Sequence, residues 1–285
     1  MTATWRHVSA SVAGTSHLRD GRSCQDACAC VVLIDDDRRD VLVAAVSDGA
    51  GSASHSDLGS GLACTLFVEE IRALLATGGS VADVTLDFGR DWLRSFANEI
   101  GVRAEALGVR PRDLACTFLA IVVNEDRAVF LQVGDGAMVF SMDDASDALQ
   151  VAVWPQNGEY ENVTFFATDP GAADHLACHL VEGRIDRVAL FSDGLQRLAL
   201  SYADRSAFPP FFRPLFGALE GARVDVLEKL SDPLADFLAS PRVNERTDDD
   251  KSIVLASRRS AGDGPEDRPR AAPESVAASD GPGTA

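Results

Sequence analysis

The chain reads as an α+β protein in which antiparallel β-sheets are covered by helices. Many short apolar runs, separated by turn residues at hairpin spacing, supply the strands. Two helical segments interrupt them early and more helix follows late. Strands and helices do not alternate as βαβ units, so a doubly wound parallel sheet is not expected.

Ala29 to Ile34 and Val41 to Val46 read as strands joined by Asp35-Asp36-Asp37-Arg38-Arg39-Asp40. That charged stretch reads as a solvated hairpin tip rather than a cation site. A helix is expected from about Asp57 to Leu75. In a second, Phe88, Trp92, Phe96 and Ile100 recur every fourth residue and form one apolar stripe for core packing. Strand signals resume at Thr117 to Val123, Ala128 to Val133, Ala137 to Ser141, Val151 to Trp154 and Asn162 to Ala167. They continue at His175 to Val181, Val188 to Phe191 and Ser252 to Ala256. Before the last strand, Pro209, Pro210 and Pro214 break the chain and Val226 to Leu238 reads as helix. Of the Phe208, Phe211 and Phe212 group, at least two are expected in the core. From Ser257 to Ala285 there is no aromatic, Leu or Ile residue and there are four prolines. Such a segment buries too little apolar surface to offset the entropy of ordering. The expected organisation is a folded domain over 1–256 and a disordered tail over 257–285.

The 285 residues, 46% of them hydrophobic, can bury a sizeable core. Net charge is −18, from 44 acidic against 26 basic residues. Nucleic-acid binding, which needs basic patches, is therefore not expected. No apolar run approaches the roughly 20 residues that cross a bilayer. Met1 to Gly14 lacks the apolar stretch of a signal peptide. Cys24, Cys28, Cys30, Cys64, Cys116 and Cys178 include no C-x-x-C pair, so a zinc cluster is not expected and free thiols suit a reducing cytoplasm.

Chemistry is carried by acidic residues at strand ends. Ala44-Ala45-Val46-Ser47-Asp48-Gly49, Phe130-Leu131-Gln132-Val133-Gly134-Asp135-Gly136 and Ala189-Leu190-Phe191-Ser192-Asp193-Gly194 each run from an apolar strand into Asp-Gly. Thr247-Asp248-Asp249-Asp250-Lys251 places its acids before a strand instead. A carboxylate on a buried strand end is costly, and several together are worse unless a cation compensates. A following glycine allows a sharp turn and offers a carbonyl as a further oxygen ligand. Hard divalent cations take such oxygen sets, and water between two of them becomes a nucleophile for phosphorus. Any one Asp-Gly is more often only a turn. The set, its order and its apolar lead-ins distinguish this chain.

In that order the landmarks resemble the type 2C (PPM) metal-dependent protein phosphatases, in a bacterial form. They are Gly14-Thr15-Ser16-His17, Cys24-Gln25-Asp26, Ser47-Asp48-Gly49-Ala50-Gly51-Ser52, Ala115-Cys116-Thr117, Gly134-Asp135-Gly136, Ser192-Asp193-Gly194-Leu195 and Asp249-Asp250-Lys251-Ser252. The resemblance spans about Val8 to Ala256 and implies an α-β-β-α sandwich of two stacked antiparallel sheets. It implies hydrolysis of phosphoserine or phosphothreonine in proteins by a metal-bridging hydroxide, with two Mn2+ or Mg2+ ions. Asp48 would bridge both metals and Gly49 would offer its carbonyl. Asp193 and Asp249 would complete the first metal's shell and Asp26 would hold the second. Asp135 with Asp193 resembles the pair that binds a third, weaker metal. Thr117 is read as packing. A phosphoprotein substrate, a partner serine/threonine kinase, a cytoplasmic location and a monomer are implied.

Two positions depart from the pattern. Where many members carry a phosphate-gripping Arg, five residues before Asp26, this chain has Gly21; Arg22, Arg19 or His17 could stand in, or be solvated loop residues. Where eukaryotic members place a His after the bridging Asp-Gly, this chain has Ala50, and the acid for the leaving group stays unassigned. Cys24, Cys28 and Cys64 lack the Arg six residues on that a cysteine phosphatase requires. The rival readings are a non-catalytic member that binds a phosphoprotein and a structural cation-binding protein. The second lacks an EF-hand-type loop.

Overall fold

The computed structural model describes residues 3–142, 148–156 and 164–260. Its strands are β1 (Ala3–Val12), β2 (Ala27–Ile34), β3 (Asp40–Ser47), β4 (Phe118–Val123), β5 (Arg127–Val133), β6 (Ala137–Ser141), β7 (Gln150–Val153), β8 (Ala177–Glu182), β9 (Arg187–Phe191), β10 (Leu200–Ser201), β11 (Ser206–Ala207) and β12 (Lys251–Ser260). They form two five-stranded sheets, β1-β12-β9-β6-β7 and β2-β3-β4-β5-β8, and the small hairpin β10-β11. All pairings are antiparallel.

Helices α1 (Thr15–Arg19), α2 (Ser56–Ala76), α3 (Leu86–Leu107), α4 (Gln196–Ala199), α5 (Pro209–Gly221), α6 (Ser231–Leu238) and α7 (Pro241–Asn244) complete the set. Strand alternation builds four layers from these parts. Leu42, Ala44 and Val46 of β3 join Leu119 and Ile121 of β4 and Val254 of β12 in the core between the sheets. The intervening Val41, Val43 and Ala45 face α2 and α3, against Phe67, Trp92 and Phe96. On the other sheet, Ile253, Leu255 and Phe191 face α5 and α6, against Phe212, Phe216 and Leu238. The α-β-β-α sandwich is therefore present. Because both sheets are covered on both faces, their strands read as continuous apolar runs rather than as alternation.

The stripe on α3 does pack the core: Trp92 stacks on Phe118 at 4.1 Å and on Phe96 at 5.2 Å. The acidic hairpin tip closes on itself, with Asp35 accepting from the Arg39 amide at 2.8 Å. Four expectations need correction. β1 was not expected; its polar sequence pairs along its whole length with β12. Pro209 and Pro210 open α5 instead of breaking the chain, because the first turn of a helix has no use for their missing N–H groups, and Pro214 lies inside the same helix without ending it. Of the strand expected over Asn162 to Ala167, Thr164 to Phe166 form no strand, and 162–163 lie outside the described residues. The last strand runs beyond Ala256 to Ser260, while 261–285, most of the expected tail, lie outside the described residues. Phe211 and Phe212 are buried and Phe208 is exposed.

Candidate metal centre

The strand register brings the predicted acids to one edge of the sandwich. Asp48 follows β3 and Asp26 precedes β2, whose ends pair as Ala27 with Ser47. Asp193 follows β9 after Ser192, and Asp135 sits between β5 and β6. Phe191 at the end of β9 pairs with both Ile253 of β12 and Ala137 of β6, which brings Asp249 and Asp135 to the same end. A cleft of about 620 Å³ opens there, lined by Asp135, Asp193, Asp248 and Asp249 among others.

Burial and mutual repulsion dominate the electrostatics. Burial pushes the Asp26 carboxyl up to about 8, and Asp250, Asp193 and Asp249 add to the rise, against a lowering influence from nearby Ser192. Asp48 is raised well above the carboxylate range by burial, then by Asp26 and Asp193. Asp193 is pushed up to about 6 by burial, with Asp135 and Asp249 contributing, while the Asp48 carboxyl beside it lowers it. Asp135 is raised by burial and steadied by the Thr164 hydroxyl, which donates to its Oδ2 at 2.6 Å. Such a group of acids is stable at neutral pH only with positive charge among them.

The structure corrects the reading of Thr117 as packing alone. Its Oγ1 accepts the Asp48 N–H at 2.9 Å and its own N–H donates to the Asp48 carbonyl at 2.8 Å. The Ser47 hydroxyl closes the clamp on the Thr117 carbonyl at 2.5 Å. Asp48 is thus held at both backbone groups by one residue. The signal was its position directly before β4, beside the end of β3.

The glycines after Asp48 and Asp193 do not serve positive φ angles. They permit close approach: a Cβ on Gly49 would lie 2.4 Å from the Gln25 carbonyl oxygen, and one on Gly194 would lie 2.0 Å from that of Asp250. Backbone crowding between strand ends, rather than a sharp turn, requires them.

The acidic run before β12 divides its labour. Asp248 is exposed and pairs with Arg19 at 3.2 Å. Asp249 is exposed at the cleft. Asp250 is buried and accepts three hydrogen bonds: from Gly14 N at 2.6 Å, Gln25 N at 2.5 Å and His17 Nδ1 at 2.9 Å. Lys251, which sequence reading passed over, is fully buried, and its ammonium donates to Asn244 Oδ1 at 2.9 Å. It supplies a fixed positive charge beside Asp250 and Asp249, and burial lowers its pKa.

His17 is almost wholly buried by its bond to Asp250. The carboxylate can only accept, so Nδ1 carries the proton. Its Nε2 points towards Gly51, 4.0 Å from where a Cβ on that residue would be. Arg22 donates to the Gly51 carbonyl at 2.9 Å and to Asp20 at 3.1 Å. Both residues expected to contact phosphate thus meet at the loop after Asp48-Gly49. Arg19 is instead exposed and occupied by Asp248.

The donor set fits a hard divalent cation. Both carboxylate oxygens of Asp26 and Oδ1 of Asp193 are buried with no hydrogen-bond partner among the described residues. Buried carboxylate oxygens are seldom left so unless a cation takes them. As the side chains stand, no three described His, Cys, Asp or Glu residues enclose a common point tightly enough to hold an ion. Asp249 turns one oxygen to the Asp250 amide at 2.9 Å, and Asp48 and Asp193 lean on each other. Repulsion spreads an acidic set of this kind, and rotation about side-chain bonds gathers it.

Cys178 has Arg184 six residues on, a cysteine-phosphatase spacing that the sequence reading missed. It forms no phosphate loop. Cys178 lies within β8, paired with Leu131, and burial raises its thiol, while Arg184 pairs with Asp186 at 2.7 Å. All six cysteines are free.

An α-β-β-α sandwich with carboxylates gathered at one sheet edge defines a metal-dependent protein phosphatase. Residues 13–239 match the family model described as protein phosphatase 2C. The chain is 39% identical over 255 residues to serine/threonine-protein phosphatase 3 of Escherichia coli (strain K12), covering 89% of this chain and 98% of that protein. Among solved structures, the catalytic domain of the phosphatase PstP with two manganese ions superposes with a TM-score of 0.55 at 18% identity, covering 91% of this chain and 100% of that one. PppA of Pseudomonas aeruginosa gives 0.57 at 16% identity, covering 90% and 99%. This chain belongs to the protein phosphatase 2C family and is a metal-dependent serine/threonine protein phosphatase. Nothing in these likenesses favours the non-catalytic reading.

Proposed function

We propose that the chain removes phosphate from phosphoserine and phosphothreonine in proteins at the carboxylate edge, without a phosphoenzyme. The observation that carries this reading is the set of unpartnered, buried oxygens of Asp26 and Asp193 beside Asp48. Asp48, Asp193, Asp249 and the Gly49 carbonyl would hold one divalent cation, and Asp48 with Asp26 a second. Asp135 with Asp193 would take a weaker third. Manganese or magnesium suits these oxygen donors, and the manganese pair in PstP favours manganese. Divalent cations bound there supply Lewis-acid neutralisation of the phosphoryl oxygens and make water a competent nucleophile near neutral pH.

The chain's own residues then position and select. Thr117 fixes the Asp48 backbone so that its carboxylate presents one geometry. Arg22 and His17 Nε2, both at Gly51, are the phosphate contacts that replace the absent arginine at Gly21. Asp250 keeps the His17 proton on Nδ1, leaving Nε2 to face the phosphate. The substrate is a phosphoprotein whose kinase is a separate serine/threonine kinase, in cytoplasmic signalling, and the enzyme works as a monomer. No described helix is long and apolar enough to cross a membrane. The phosphatase domain, expected over 1–256, extends through β12 to Ser260.

Hydrolysis of p-nitrophenyl phosphate with Mn2+ tests the assignment. Asp48→Asn and Asp193→Asn should each lower kcat by about 100-fold or more with the fold retained. An Asp48→Asn protein turning over at the wild-type rate would contradict it.

A further inference from the structure

Arg197 and Arg246 line the same cleft as Asp135, Asp193, Asp248 and Asp249. Each stands close in sequence to a proposed metal ligand, Arg197 four residues after Asp193 and Arg246 three before Asp249. Arg38, Arg112 and Arg242 make no ion pair with a described residue, but many exposed arginines of this acidic protein settle onto nearby carboxylates, among them Arg19 on Asp248 at 3.2 Å and Arg223 on Asp225 at 3.1 Å. Arg197 and Arg246 do not. Neither guanidinium makes an ion pair or hydrogen bond with any described residue, although both border a cleft rich in carboxylates.

The wall beside Arg197 is fixed. Tyr202 donates its hydroxyl to Gln196 Oε1, and the Gln196 amide donates to the Asp135 carbonyl, so the strap ties the α4 end to the acid between β5 and β6. Tyr202 is half exposed and packs edge-on against Trp154 at 5.4 Å. Cations held on a rigid rim, unneutralised by adjacent acids, are available to a ligand.

We propose that Arg197 and Arg246 form an anion-reading rim that selects phosphoprotein segments carrying further negative charge beside the phosphate to be removed. This rests on the phosphatase reading of the site and adds the substrate class. The shared chemistry is an anionic side group, either a carboxylate or a second phosphate. Arg22 and His17 serve the reacting phosphate from the Gly51 side, leaving the rim for flanking groups.

The test compares manganese-loaded wild type, Arg197→Glu and Arg246→Glu on four phosphothreonine peptides flanked by Ala, Glu, Lys or a second phosphoserine. Wild type should favour the Glu or diphosphorylated peptide over the Lys peptide, chiefly through KM. Each reversal should shift that ratio by about 5-fold or more, towards the Lys peptide. A structural role would lower all four rates together and could not invert the preference. The Glu and diphosphorylated arms separate the two sources of charge. Fluorescence anisotropy with peptides bearing a non-hydrolysable phosphonate should show the same inversion in Kd. An unchanged ratio in both reversals, alongside normal turnover of p-nitrophenyl phosphate, would overturn the rim and spare the phosphatase reading. Loss of all turnover in wild type would overturn that reading, with the anisotropy ratios still deciding the rim.

Discussion

Thr117 shows how much a single side chain can do at a strand end. Its hydroxyl and amide hold both backbone groups of Asp48. Thr117→Val keeps the shape and removes the acceptor, leaving the Asp48 N–H without its partner. We expect kcat on p-nitrophenyl phosphate to fall about 10- to 100-fold, with Thr117→Ser restoring most of it. Steady-state kinetics of the two variants would check this; equal losses in both would mean the methyl packing matters and the hydroxyl does not. The acids themselves were legible in sequence because a charge directly after an apolar run stands out. The buried role of Asp250 was not, because it depends on partners more than two hundred residues away, such as Gly14 and Gln25.

At the scale of elements, Asp250 ties the start of β12 to the lead into α1 and to the lead into β2. Asp250→Ala would leave three donors behind, at a cost of roughly 3 kcal/mol or more in stability, and Asp250→Asn should cost less because one oxygen still accepts. Urea denaturation of the two variants would rank them, and equal stability would remove Asp250 from this role. Gly194→Ala pushes a methyl against the Asp250 carbonyl and should cost about 1–3 kcal/mol, together with activity, because it moves both acid-bearing loops. The strands were read well from their apolar runs since both sheets are covered on both faces. β1 escaped because Arg6 and His7 interrupt it, and only its pairing with β12 makes it a strand. Pro209 and Pro210 misled for a related reason: proline marks a helix start as readily as a break.

Across the whole molecule, the gathered acids make metal binding and pH act on the same balance. The Asp26 and Asp193 carboxyls are raised to about 8 and about 6. A carboxyl raised by folding contributes stability below its unfolded value near 4, and that contribution is lost as pH rises through its folded value. The chelator-treated protein should therefore lose stability between about pH 4 and pH 8. Cations relieve the same repulsion, so the rise in Tm on adding Mn2+ should be larger at pH 8 than at pH 5.5. A Tm increment independent of pH would contradict this linkage.

In the proposed mechanism, divalent cations held by Asp26, Asp48, Asp193 and Asp249 drive phosphate release. Its most direct test is phosphate release from a phosphothreonine peptide by chelator-treated protein as Mn2+ is titrated back. The expected result is no release in chelator and a saturable rise with Mn2+. Release at the full rate in chelator, or none at any Mn2+ concentration, would contradict it.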